Sequence, residues 1–178
     1  METTPTQPLS PYAASKRTDE IYAQMYTQAM GLEVVALRYF NVYGPRQRPD
    51  SMYAAVVPIF IRCLLDGKPV TVHGDGGQTR DLINVRDVVR ANLIASEHPY
   101  APGQVFNVCT GQETRILDLL EVLFDLFPSA QAPVFAKPRA GDIYRSTGSP
   151  EFTAQTIGFR SVVSLDEGLK EAVAWMKA

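Results

Sequence analysis

Hydrophobic and polar positions along the chain first separate out one long periodic stretch. Apolar or aromatic side chains recur at Tyr12, Ala14, Ile21, Tyr22, Met25, Tyr26, Ala29 and Met30, which predicts a single helix. Ser10 is placed to cap it, Pro11 suits the first helical position because its missing N–H would find no partner there, and Gly31 offers a left-handed stop. The run Glu33 to Phe40 is apolar without strict alternation, so a strand covered on both faces, as in a parallel sheet, is expected. Asn41 to Asp50, rich in Gly, Pro and Arg, reads as the loop beyond that strand's carboxyl end, where open α/β sheets bind ligands, or as a plain turn.

The alternation continues. Met52 to Leu65 is an apolar helical stretch carrying Pro58, which must begin its regular part or kink it. Val70 to His73 reads as a short strand, Gly74 to Gly77 as a tight turn, Arg80 to Val85 as another strand, and Val85 to Ser96 as an amphipathic helix. Gln104 to Cys109 is a strand. Thr114 is placed to cap a helix whose buried stripe runs from Ile116 to Phe127. Pro133 to Ala136 is a short strand, Ser149-Pro150 starts a helix that Gly158 ends, and Ser164 to Glu167 is a capping box opening a last helix to Met176. The pattern is α/β.

Composition narrows the function classes. With 178 residues, 46% of them hydrophobic and 20% charged, the chain can bury one domain-sized core. A net charge of −2 leaves no electrostatic footprint for nucleic acid, and no apolar run is long enough to span a membrane. Cys63 and Cys109 match no metal spacing and are expected to be buried free thiols in a reducing, cytoplasmic setting. Met1 to Leu9 reads as an extended loop, from which a preceding segment is expected.

Candidate chemistry lies on the first helix. Tyr12 and Lys16 are four residues apart, so phenol and ammonium face the same space, whether as a catalytic pair or as one of many chance pairs at that spacing. A tyrosine with a pKa of about 10 needs roughly 4 kcal/mol of preferential stabilisation of the phenolate to work as a base near neutrality. One partly solvated lysine does not supply that, so a second positive charge is expected.

PYAASK, LRYFNVYGPRQ, GDGGQTRDLINVRDVV and RAGD, in this order and at these separations, resemble the C-terminal half of an extended short-chain dehydrogenase/reductase. The nucleotide-sugar epimerases and dehydratases typified by UDP-glucose 4-epimerase are the nearest group. The resemblance runs from about Glu2 to the end of the chain and implies an incomplete Rossmann-like parallel sheet over residues 1–50, followed by a small mixed α/β substrate-binding region over 51–178. Tyr12 matches the family's catalytic tyrosine, which takes a proton from the sugar hydroxyl while the sugar carbon gives a hydride to NAD. Lys16 matches the lysine that holds the nicotinamide ribose, and the nicotinamide cation is the second charge. Phe40 matches the position whose backbone lies against the nicotinamide, and Asn41 the one that bonds the diphosphate. Val56 and Phe60 match the packing around uracil, Val72 and His73 the strand that reads the base edge, Arg80 and Arg139 the diphosphate grip, and Asp142 the ribose carboxylate. Each has a plainer reading: Arg80 with Asp81 and Arg139 with Asp142 as surface ion pairs, His73 as a strand-end surface residue.

Leu82 and Asn84 stand where the family usually has aromatic residues or histidine, and residues 146–150 lack a common aspartate. These departures leave the sugar open. No G-x-x-G-x-x-G turn occurs in the sequence, so the chain alone is not expected to bind NAD usefully and is expected to be inactive without an N-terminal NAD-binding partner. The first helix and strand are expected to expose apolar surface and an open edge that a homo-oligomer covers, through the Pro11 to Met30 helix or a strand swap. Three classes remain: the substrate half of a UDP-sugar epimerase or dehydratase, a UDP-sugar-binding module without catalysis, and a self-associating module.

Overall fold

The structure, a computed structural model, describes residues 1–50, 55–139 and 141–178. Helix α1 spans Pro11–Met30, as its periodicity predicts. Ser10 Oγ accepts from the Ala13 N–H at 3.1 Å. Gly31, at φ +68°, ends the helix in the left-handed region, where a residue with a Cβ is strained. Of the whole helix only Glu20 is buried.

Strand β1, Ala36–Tyr39, is shorter than expected and lies parallel to β6, Val105–Val108, with Ala36 opposite Val105. Among the described residues its other edge pairs with nothing. The expectation of a strand covered on both faces is therefore corrected: β1 is half-buried and Tyr39 is 47% exposed. The stretch after it, expected as loop throughout, opens with a strand, β2 (Asn41–Tyr43), parallel to β5 (Leu82–Asn84). Burial of Tyr43 in the core draws this segment into the sheet before Gly44-Pro45 turns the chain away.

The single strand expected from Arg80 to Val85 is two strands, β4 (Thr79–Arg80) and β5, divided at Asp81. The Asp81 N–H donates to Ser146 O (2.9 Å) and its carbonyl accepts from the Asn41 N–H (3.0 Å), so the run changes sheets at this residue. Strand β3, Thr71–His73, runs parallel to β8, Val134–Ala136. Strand β4 is flanked by antiparallel β7, Thr114–Arg115, and parallel β9, Arg145–Ser146. Thr114 is thus a strand residue; Arg115 precedes helix α4 (Ile116–Leu126), and Asp118 accepts from its N–H.

The remaining helices are α2 (Val56–Leu65), α3 (Val85–Glu97), α5 (Glu151–Ile157) and α6 (Leu165–Lys177). Residues 52–54 of the expected second helix lie outside the described residues. Pro58 falls in the first turn of α2, where its missing N–H costs no helical bond. Asn84 is buried because it caps α3, its Oδ1 accepting from the Arg86 N–H at 2.9 Å.

Two apolar clusters result. One gathers α2, α4 and α6 around Tyr43, Val70 and Val72. The other joins Ile83, Phe106 and Val108 to α3 and to Ile157 and Phe159. Each fully buried Leu, Ile or Phe in them contributes about 1.5–3 kcal/mol of transfer free energy. Gly168 lets α6 approach β2 and β5, since a Cβ there would stand 2.3 Å from the Tyr43 hydroxyl oxygen. Both cysteines are free; Cys109 is buried and Cys63 only half-buried. Burial pushes the Cys109 thiol up to about 12, which leaves it protonated and inert at neutral pH. No described helix is long and apolar enough to cross a membrane.

Candidate functional site

Strand ends and one helix face converge on a cavity of about 230 Å³. Asn41, at the head of β2, lines it, with its side-chain amide donating to Asp81 O at 3.2 Å. Val56 and Phe60 reach it from one face of α2, four residues apart. His73, at the end of β3, reaches it with Nδ1 3.2 Å from Lys137 O. Arg80, at the end of β4, and Arg139 and Asp142, from the segment after β8, complete the set. Seven of the eight residues assigned to the nucleotide sugar therefore share one cavity. Val72 is the exception, its side chain buried in the core behind the wall.

The charges in the cavity are not arranged as adjacent-residue ion pairs. Arg80 Nη2 donates to Asp142 Oδ1 at 2.5 Å, and its Nη1 donates to Ile143 O (2.6 Å) and Thr79 O (2.7 Å). Asp81, beside it in sequence, points the other way. Fully buried, its carboxylate accepts from the Thr110 N–H and hydroxyl, both at 2.8 Å, and from the Gly111 N–H at 2.9 Å. Arg139 meets Asp142 only through the backbone. Two guanidinium groups against one carboxylate leave the wall net positive, which suits an anion.

Sequence reasoning passed over Gln78. Its Nε2 donates to His73 O at 2.6 Å, which fixes the amide's orientation and ties the GDGGQ turn to the end of β3. Its one sequence signal is an amide beside a glycine-rich turn. Leu82, noted only as a departure, lines the cavity with apolar Val57 and Ile116.

Tyr12 and Lys16 line a separate, wider cleft of about 1040 Å³ between α1 and β1. Tyr12 is 71% exposed. Lys16 Nζ lies 5.9 Å from the phenol ring centre and donates to Asp19 Oδ2 at 2.7 Å. The Asp19 carboxylate, by hydrogen bond and charge, raises the Lys16 pKa. Ile143 lines this cleft while Asp142, one residue earlier, lines the other. The Phe40 ring packs against Gly148, where a Cβ would stand 2.6 Å from Phe40 Cζ. For a dinucleotide, a phenol and an ammonium open to this cleft are groups able to meet ribose hydroxyls. Among the described residues no glycine-rich turn at a helix N-terminus offers backbone N–H groups to a pyrophosphate. Among the described residues the cleft offers side-chain groups for hydroxyls and no backbone cradle for a pyrophosphate.

Comparison with known proteins gives this geometry a family. The model of the NAD dependent epimerase/dehydratase family matches residues 1–109. UDP-glucose 4-epimerase of Mycolicibacterium smegmatis is 38% identical over 176 residues, covering 99% of this chain and 56% of that protein. dTDP-glucose 4,6-dehydratase of an Actinoplanes species is 37% identical over 175 residues, covering 98% and 53%. The crystal structure of Thermotoga maritima UDP-glucose 4-epimerase with UDP-glucose superposes with a TM-score of 0.91 at 39% identity, over 96% of this chain and 54% of that one. The chain thus spans about half the length of the curated relatives it matches. It belongs to the NAD-dependent epimerase/dehydratase family of nucleotide-sugar enzymes.

Proposed function

We propose that the chain is the substrate half of a UDP-sugar 4-epimerase or dehydratase, with Tyr12 and Lys16 as its catalytic pair and the Arg80–Arg139 cavity as its nucleotide-sugar site. The observation that carries this is the convergence of Asn41, Val56, Phe60, His73, Arg80, Arg139 and Asp142 from five separate segments on one cavity. Arg80 and Arg139 take the diphosphate, Val56 and Phe60 pack the base, and Asp142 takes ribose hydroxyls. Tyr12 holds and moves the proton of the sugar hydroxyl, and Lys16 stabilises its phenolate once drawn from Asp19. NAD supplies the redox chemistry when bound, on a dinucleotide-binding segment that the described residues do not contain. Relatives named for epimerisation and for dehydration match almost equally, which supports a reaction of the class they share.

A second reading, a UDP-sugar-binding module without catalysis, is favoured by one contrast: this chain supplies the residues that line the Arg80 cavity, whereas among the described residues no glycine-rich turn cradles a pyrophosphate. Calorimetry with UDP and with NAD⁺, run side by side on the purified chain, tests both. UDP is expected to bind with a micromolar Kd and NAD⁺ to give no saturable heat. Absence of UDP binding would remove the nucleotide site, and stoichiometric NAD⁺ binding would remove the half-molecule reading.

The partner proposed for α1 is a second copy of this chain. Ile21, Tyr22, Met25, Tyr26 and Met30 stand between about a third and two-thirds exposed along one side of the helix, a contiguous apolar face of the kind that marks an interface. Sedimentation equilibrium at micromolar concentration is expected to show a dimer or larger species, and Met25→Asp to shift it to monomer. A monomer before substitution would count against the proposal.

A further inference from the structure

Arg80 does not wait empty. Its Nη1 and Nη2, the pair that can grip two oxygens of one phosphate, already hold the Ile143 carbonyl and the Asp142 carboxylate. Three of its five N–H groups are used within the chain, and its side chain is only 16% exposed, so this is a partly desolvated pair rather than a loose surface contact. Asp142 lines the same cavity as Arg80 and Arg139, so among the described residues it is the one carboxylate in that lining, placed where an anionic ligand must go.

We propose that Asp142 is a built-in competitor for Arg80. Its carboxylate occupies the anion position on the guanidinium in the ligand-free chain, and a diphosphate must displace it before Arg80 can grip. The inference rests on the nucleotide-sugar reading of the cavity and adds a determinant of anion selection to it. Among the described residues, the cavity then has Arg139 as its cation not paired with a carboxylate, too little to hold a small anion firmly. A nucleoside diphosphate, with two phosphate groups and a base to anchor it, has the charge and contacts to displace Asp142. The displaced carboxylate is then free to turn to ribose hydroxyls, so exchange of partners couples phosphate binding to ribose binding.

Inorganic pyrophosphate, which carries no ribose, separates the two roles of Asp142. In Asp142→Asn, which keeps the shape and removes the charge, the pyrophosphate Kd measured by calorimetry is expected to fall at least five-fold, while uridine binds no better than to the unaltered chain. Asp142→Ser serves as the second variant should the asparagine perturb folding. In the Arg80→Gln background the same change at Asp142 is expected to give no gain, because the competition acts through Arg80. An unchanged or higher pyrophosphate Kd in both variants would overturn the proposal. So would a gain that persists without Arg80, since that would reflect net charge alone. UDP binding to the unaltered chain reports separately on the cavity: UDP binding without a pyrophosphate gain removes only the competition, and loss of both removes the nucleotide reading as well.

Discussion

On the proposed function, this chain joined to the remaining part of the Thermotoga maritima epimerase is expected to turn over a UDP-sugar, and Tyr12→Phe in that chimera to lower kcat by about 10²- to 10⁴-fold with KM within about three-fold of the parent. The splice is reasonable because the chain superposes on 54% of that enzyme with a TM-score of 0.91. The magnitude is that of losing one positioned general base. Phenylalanine keeps the ring beside Lys16 and removes only the oxygen that carries the proton, so binding in the separate Arg80 cavity is left intact. A Tyr12→Phe chimera within ten-fold of its parent would show that the proton goes elsewhere. The arrangement around Lys16 makes the requirement specific. Here its ammonium is held by Asp19, and the phenol at the mouth of an open cleft gains from that ammonium only if an approaching ligand draws it across.

Glu20→Ala is expected to cost about 2–4 kcal/mol of folding stability, out of a total of about 5–15 kcal/mol for an ordinary domain. Glu20 Oε2 accepts from Arg38 Nη2 at 2.8 Å and from Arg17 Nη1 at 2.7 Å, and Arg38 Nε donates to Oε1. Its side chain is 12% exposed and that of Arg38 is 22%. This pair pins α1 to β1, and it lies where an apolar contact would ordinarily serve. Removing the carboxylate leaves the Arg38 cation half-buried with the Glu2 carbonyl, 3.3 Å from Nη1, as its remaining acceptor, which is the expensive outcome moderated by that one bond. The hydrogen bond from Arg38 holds the Glu20 pKa below the usual glutamate value. A carboxylate depressed on folding stabilises above its unfolded pKa of about 4.3 and loses that contribution as pH falls through the folded value. Urea unfolding should therefore show the full difference between the unaltered chain and the Glu20→Ala variant at pH 7 and a shrinking one below about pH 4. A difference under about 1 kcal/mol at pH 7, or one that widens on acidification, would contradict the assignment.

Local signals are legible in the sequence where they are strong and self-contained. Ser10, Pro11 and Gly31 delimit α1 to the residue, because caps and left-handed stops depend on near neighbours alone. Strand identity depends on partners far along the chain, which is why β2 reads as loop and the run through Asp81 reads as one strand. Four of the seven cavity residues, Asn41, Arg80, Arg139 and Asp142, lie in the ordered motifs, and Val56, Phe60 and His73 follow only from the resemblance those motifs carry, since no spacing rule brings Asn41 near Asp142. The pairing of Arg80 with Asp142 rather than Asp81 is invisible for the same reason: the acceptor lies 62 residues away in the chain, and only the tertiary fold brings it within reach. Arg38 carries a signal that the sequence reading passes over, a lone charge among the apolar residues of 34–40, which calls for an acid within reach. Which acid answers it, Glu20 rather than its neighbour Asp19, only the packing of α1 on β1 decides.

The parallel ladders have a kinetic consequence. Ala36 meets Val105, Asn41 meets Leu82 and Thr71 meets Val134, so each pair of strands joins segments about 40 to 70 residues apart. Chain entropy must be surrendered over those spans before any ladder hydrogen bond repays it, which slows folding relative to a helical bundle of the same size. During synthesis the ribosome must deliver Val105–Val108 before Ala36–Tyr39 has its partner within this chain, and until then a nascent strand edge stays open to capture by other chains.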